Sequence, residues 1–229
     1  MYDISVDNSP ISGEPKKMCL VEMIRNELLT MPSFDSTIRE QDLVQKFQVS
    51  RTSVREALKQ LEAENLIERR RNRGTRLRRF TLKEVADTYD VRGVLEGFAC
   101  RVATQRITAD ELVLMEKLVD EYRRYETPEA DPERRTRADD AFHALIVKIA
   151  DNAMLGDIME KFSILSQAFA VYRKQCDVTR QFRSTPFSHR KIFEAIRDGN
   201  GALAEKLMRR HCQWAKRQLL EQFTGTSLE

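Results

Sequence analysis

The stretch "SRTSVREALKQLE" (Ser50–Glu62) decides how the first third of the chain folds. Val54, Ala57, Leu58 and Leu61 recur at helical spacing and demand a core. Arg51, Arg55 and Lys59 recur every fourth residue and form a cationic row on a neighbouring face. Ser50, Thr52 and Ser53 place short hydroxyl groups beside the helix N-terminus, where a phosphate is readily held. One side of such a helix is built for packing and the other for a polyanion.

Working outward, "KKMCLVEMIRNELLTM" (Lys16–Met31) reads as an amphipathic helix with Val21, Ile24 and Leu28 on one face. "PSFDS" breaks it. Thr37, with Glu40 three residues on, predicts a capping box that opens a second short helix carrying Leu43, Val44 and Phe47. "QVS" (Gln48–Ser50) is a tight turn. After the helix, "LIERRRNRGTRLRR" (Leu66–Arg79) sets Leu66, Ile67 and Leu77 around Asn72-Arg73-Gly74, whose Asn and Gly tolerate the positive φ of a hairpin turn. Helix, helix, turn, helix, hairpin is the order of a winged helix-turn-helix. In that motif the second helix of the pair lies in the major groove of DNA. Arg51 and Arg55 then reach guanine edges or phosphates. Lys59 continues their row, and Arg70, Arg71 and Arg73 of the hairpin lie along the backbone or reach the minor groove. A solvated helix followed by a charged loop is the plain alternative, and the turn and basic hairpin in register weigh against it.

Charge supports the division of labour. Residues 14–80 carry 15 Lys/Arg against 10 Asp/Glu, whereas residues 81–229 carry 24 of each. The excess concentrates in "RRRNRGTRLRR" (Arg69–Arg79), which holds seven arginines and no acid. A neutral second domain behind a basic first one implies that only the first meets a polyanion. At 229 residues the chain has room for two modest domains. No apolar run approaches the ~18 residues of a membrane span. The first fifteen residues lack a basic start followed by an apolar stretch, so no signal peptide is read. The four scattered cysteines form no CxxC and are expected as reduced thiols in a cytoplasmic protein.

Beyond Thr81 the pattern predicts helices over 82–105, 109–126, 134–151, 154–174, 187–199 and 201–222, with loops at 127–133 and 176–186. "DGNG" (198–201) reads as a glycine stop followed by an Asn cap. The expected fold is mainly α, an N-terminal winged helix-turn-helix followed by an all-α bundle. The expected boundaries are a tail at 1–15, a DNA-binding domain at 16–80, an all-α domain at 81–222, and a tail at 223–229. The chain has three histidines, His143, His189 and His211, on three predicted helices, and Asp139 stands four residues before His143. Three imidazoles and a carboxylate converging in a bundle hold a divalent transition metal and leave positions open for a ligand. Taken singly, each histidine is more often a satisfied core or surface residue than a ligand, and Asp140 competes with Asp139.

"VSRTSVREALKQLEAENLIERRRNRGTRL" resembles the signature of the GntR superfamily of bacterial transcription regulators over roughly residues 16–79. By that resemblance Arg51, Thr52, Ser53 and Arg55 contact bases or phosphates, and Gly74 lies at the wing tip. Asn65 departs from a usual Gly, Ser53 from a frequent Pro, and Arg76 from an aromatic or aliphatic residue. The added wing charge is expected to raise non-specific affinity. Residues 81–222 resemble the FCD ligand-binding domain of the FadR subfamily through "DVRGVLEGFACRVA", "DDAFHALI" and "SHRKIFEAIRDGN…LMRRH". The resemblance implies that Asp139, His143, His189 and His211 ligate a divalent ion such as Zn, Ni or Mn. It also implies that Arg92 pairs with an effector carboxylate; a salt bridge from Arg92 to Glu96 is the alternative. Phe98, Phe142, Phe169 and Tyr172 are expected to shape the pocket. The implied whole is a homodimeric regulator, a repressor, that binds a palindromic double-stranded operator and responds to a small organic acid. A metal-dependent enzyme has no need of the basic winged domain, and a non-specific nucleic-acid binder has no use for a neutral bundle holding a histidine cluster.

Overall fold

The computed structural model describes residues 19–31, 36–70, 73–127, 131–175 and 187–224; the side chains of 132, 133, 167–175, 222 and 224 lie outside the description. The described residues contain helices α1 (Leu20–Leu29), α2 (Glu40–Phe47) and α3 (Arg51–Ala63), strands β1 (Ile67–Arg70) and β2 (Gly74–Leu77), and helices α4 (Leu82–Arg106), α5 (Ala109–Arg124), α6 (Pro132–Ala150), α7 (Ala153–Gln175), α8 (His189–Arg197) and α9 (Gly201–Thr224). They fall into two compact units. One contains the described residues up to Phe80 and α7 from Ser163 onward; the other contains Thr81–Phe162 and the described residues from 187.

In the first unit α1 and α2 pack on α3. Their shared core is Ile24, Leu28, Leu43, Val54, Leu58 and Leu61, all fully buried. Each such side chain contributes about 1.5–3 kcal/mol on leaving water, which fixes the inner face of α3 and leaves its cationic face outward. Ser50 caps α3, its Oγ accepting from the Ser53 N–H at 3.0 Å. Gln48, in the turn before it, takes the left-handed conformation at φ +53°. The wing is an antiparallel pair with Ile67 opposite Leu77 and Arg70 opposite Gly74. Gly74 has φ +84°, and a Cβ there would lie 2.8 Å from the Ile38 carbonyl oxygen. Arg71 and Asn72 lie outside the described residues.

One expectation is corrected here. Thr37 does not cap α2, which begins at Glu40 behind Arg39, whose backbone N–H donates to Asp42 at 3.1 Å. The segment at Ile38 instead bridges β2: Ile38 N–H donates to Thr75 O at 2.8 Å and Thr75 N–H donates to Ile38 O at 2.9 Å. Two β-branched residues beside an open strand edge satisfy their backbone better by pairing than by starting a helix.

In the second unit α9 and α6 pack on α4, α5 packs on α6 and α8, and α8 packs on α9. Phe142, Leu145, Ile146, Ile192, Phe193 and Met208 sit at the centre of the core. Thr81 and Thr108 each open a helix through a capping box with Glu84 and Glu111. The turn into α9 follows its predicted chemistry, with Gly199 at φ +73° and Asn200 Oδ1 accepting from the Leu203 N–H at 3.0 Å. Among the described residues no helix is long and apolar enough to cross a membrane.

Candidate nucleic-acid interface and metal centre

The outer face of α3 carries Arg51, Thr52, Ser53, Arg55 and Lys59, all exposed. Lys59 reaches Glu56 at 2.8 Å on the same face. Arg55 donates through Nε to Glu40 of α2 at 2.9 Å, and Arg69 of β1 donates to the other oxygen of the same carboxylate at 2.8 Å. The hydrogen bond from Arg55, ahead of the pull of Arg69, holds the Glu40 carboxyl below the usual carboxylate range. Glu62 and Glu64 pair with Arg69 and Arg25. On the wing, Arg70 and Arg73 are exposed, and Arg70 lies 3.8 Å from Glu68. Arg76 is different. It is buried and donates to Glu68 through Nε at 3.2 Å and a terminal nitrogen at 3.0 Å. Its charge is thus compensated inside the wing and adds little to the free positive surface expected from sequence.

The bundle brings the three histidines and Asp139 together. α6 supplies Asp139 and His143 one turn apart, α8 supplies His189 at its first residue, and α9 supplies His211. One donor atom from each lies within 4.8 Å of every other. His143, His189 and His211 are only 4%, 1% and 5% exposed. Phe142 and Tyr122 set their rings 4.4 and 4.3 Å from that of His189 and keep water from it. Among the described side chains Phe142 thus shapes the site, and Phe98 packs on the core at partial burial; the side chains of Phe169 and Tyr172 lie outside the description.

Proton positions follow from the partners. His211 Nδ1 lies 2.9 Å from the Phe187 carbonyl oxygen. A carbonyl only accepts, so Nδ1 carries the proton and Nε2 presents a lone pair. His143 Nδ1 lies 2.7 Å from Glu96 Oε2, close but without full hydrogen-bond alignment. Burial pushes the Glu96 carboxyl up, yet Arg92 and then His143 bring it far below the usual range. It stays ionised and can only accept, so Nδ1 is the nitrogen of His143 that carries a proton toward it, and Nε2 faces the cluster with a lone pair. That Nε2 and both ring nitrogens of His189 are buried without a hydrogen-bond partner, although His189 Nε2 comes within 3.3 Å of Asp139 Oδ1. Unsatisfied buried nitrogens are costly, and a metal ion satisfies them. Burial, then the neighbouring imidazoles, hold His189 well below its ordinary pKa and bring His211 to about 4, so both rings stay neutral at neutral pH. Donors ~2.1 Å from one ion lie at most roughly 4.2 Å apart, so the set needs only a small closure. These residues fit a transition metal. Asp140, the competing carboxylate, is not in the cluster; burial and then Asp139 raise it to about 6.

Arg92 makes the salt bridge to Glu96 that sequence offered as the alternative to an effector contact. Its Nε donates to Glu96 Oε1 at 2.7 Å, while its terminal nitrogens make no hydrogen bond or ion pair among the described residues. Sequence reasoning named Glu96 only as a rival partner for Arg92. Its carboxylate in fact joins Arg92, His143 and the Cys212 thiol, 3.4 Å from Oε2. Its position one turn after Arg92, in an otherwise apolar stretch, was the available signal. Glu40 left no local signal, because its partners stand 15 and 29 residues away.

Residues 20–77 match the model of bacterial regulatory proteins, gntR family, and residues 87–213 match the FCD domain. The chain is 32% identical to the HTH-type transcriptional regulator LutR of Bacillus subtilis, over 82% of this chain and 92% of that protein. It is 30% identical to the gluconate operon transcriptional repressor of Bacillus subtilis, over 72% of this chain and 69% of that protein. The solved structure of Escherichia coli McbR/YncC shares the fold with a TM-score of 0.70 at 15% identity, covering 90% of this chain and 99% of that one.

Proposed function

The chain belongs to the gntR family of bacterial regulatory proteins and carries an FCD domain, and from this premise we propose a metal-dependent repressor released from its operator by a small carboxylate. It is a transcriptional regulator and not an enzyme; the finer reading concerns what controls it. The observation that carries this reading is the buried cluster of Asp139, His143, His189 and His211 with its unsatisfied imidazole nitrogens. These four residues would hold a divalent ion such as Zn, Ni or Mn, which supplies a Lewis-acidic position for a ligand oxygen. Arg92 offers its two terminal nitrogens as a planar fork for the same carboxylate, with Glu96 fixing its orientation through Nε. The domains run 16–80 for DNA binding and 81–222 for effector binding and dimerisation, between short tails, in a cytoplasmic protein. As a two-fold homodimer it binds a palindromic double-stranded operator through Arg51, Thr52, Ser53, Arg55 and Lys59 in the major groove, with Arg70, Arg73 and Gly74 at the wing. The effector shifts operator affinity by its differential affinity for two domain arrangements. Relatives named as repressors, such as the gluconate operon repressor, support the sign of control.

The test is metal analysis of the untagged chain and of His189→Ala, followed by duplex binding with and without a panel of small mono- and dicarboxylates. About one divalent ion per chain is expected, lost in the variant, with a carboxylate that weakens duplex binding only in the metal-loaded chain. Arg92→Lys should retain the ion and lose most of the carboxylate response. A chain that takes up no ion after reconstitution refutes the metal reading and leaves DNA binding standing.

A further inference from the structure

Glu40, the first residue of α2, binds two arginines from two other elements. Its Oε2 accepts from Arg55 Nε of α3 at 2.9 Å, and its Oε1 accepts from Arg69 of β1 at 2.8 Å. Stability alone does not account for the arrangement. Arg55 is half-exposed and Arg69 and Glu40 partly so, and exposed ion pairs contribute little to folding. An acid beside the cationic row of α3 also opposes attraction to phosphate.

We propose that Glu40 is a positioning residue for base specificity, pinning Arg55 through Nε so that its terminal nitrogens form a fixed fork toward a guanine. The inference rests on the reading of Arg55 as a base contact. A free arginine side chain samples many rotamers and meets phosphates as readily as bases. Held at Nε, it presents two coplanar N–H donors, the pattern that guanine O6 and N7 accept. The terminal nitrogens of Arg55 meet no partner among the described residues and stand free to do so. The negative charge acts in the same sense. It repels phosphate on every sequence, while the hold on Arg55 favours only the duplex with guanine in reach. Glu40 therefore lowers non-specific affinity and raises the affinity ratio between right and wrong sites. Its second contact keeps Arg69 of the wing from indiscriminate phosphate pairing.

The full chain is used to select duplexes from a random-sequence library. The enriched duplex and a base-shuffled one are then bound by the chain, Glu40→Gln, Glu40→Asp, Arg55→Ala and the double variant Glu40→Gln/Arg55→Ala, at one moderate salt concentration. Thermal unfolding confirms that each variant is folded. Arg55→Ala should lower the ratio of the two affinities by roughly 5- to 150-fold. Glu40→Gln should lower it by about 10-fold, within that range, with binding to the shuffled duplex unchanged or stronger. Glu40→Asp, which keeps the charge on a shorter arm, should fall between. In the Arg55→Ala background Glu40→Gln should leave the ratio where it is. Equal shifts on both duplexes for Glu40→Gln, or additive losses in the double variant, would overturn the positioning role and leave Arg55 as the base contact. A ratio untouched by Arg55→Ala would overturn the reading of Arg55 itself, and this inference with it.

Discussion

Asn65 takes φ +58° at the step from α3 into the wing, a conformation that costs most L-residues about 1–2 kcal/mol. Asn and Gly escape most of that cost, so the departure from glycine is conservative in backbone terms. Asn65→Gly should leave stability within a few tenths of a kcal/mol, and Asn65→Ala should lower it by about 1 kcal/mol in urea unfolding. Gly74 is stricter. It combines φ +84° with a close approach to the Ile38 carbonyl, so even a methyl group meets both strain and a clash. Gly74→Ala should cost more than Asn65→Ala. Equal costs at the two positions would show that the bridge between Ile38 and Thr75 yields to admit the methyl. The same scale explains what could be read at the histidine cluster. Each histidine announced itself by rarity and by its place on a helix. Glu96 announced only its pairing with Arg92, because an acid one turn from an arginine is an ordinary helical pair until a third group, His143, arrives from α6.

Within an element, charge has to be counted after local pairing. The wing has seven arginines between positions 69 and 79, yet Arg76 is buried against Glu68 while Arg70 and Arg73 stand out. Arg70→Ala and Arg73→Ala should each reduce the slope of log affinity against log salt by roughly one for duplex DNA. Arg76→Ala should leave that slope alone and instead lower stability by about 1–3 kcal/mol, because Glu68 loses its main partner. A slope change for Arg76→Ala equal to the other two would place its guanidinium on the phosphates. Element ends were largely legible for a related reason. Ser50, Thr81, Thr108 and Asn200 cap through neighbours three residues away, and such contacts lie within reach of a sequence pattern. The start of α2 was misread because the partner of Ile38 is Thr75, far along the chain, and pairing across that distance outweighed a local capping signal.

For the whole molecule, the histidine cluster ties stability to pH and, on the function proposed above, to metal. In the metal-free protein, burial holds His211 at about 4 against 6.5 in the unfolded chain, and shifts His189 in the same direction. Between those values the unfolded state binds more protons than the native one, so acid favours unfolding. The contribution is complete above 6.5 and is lost as pH falls toward 4. Asp140 acts in the opposite sense between about 6 and 3.8, since its carboxyl is raised in the folded state. Two imidazoles outweigh one carboxyl, and the metal-free chain should lose about 1–3 kcal/mol between neutral pH and pH 5. His211→Gln, which can still donate to the Phe187 carbonyl, should flatten that loss; an unchanged slope would place the acid sensitivity elsewhere. The proposed ion acts on the same axis. An ion bound only by the folded state at ~100 times its Kd stabilises by about 2.7 kcal/mol, and protons compete with it for the imidazoles. The rise in Tm on adding a divalent ion should therefore be largest near neutrality and fade toward pH 5. A rise independent of pH would assign the ion to carboxylates alone and leave the three histidines out of its coordination.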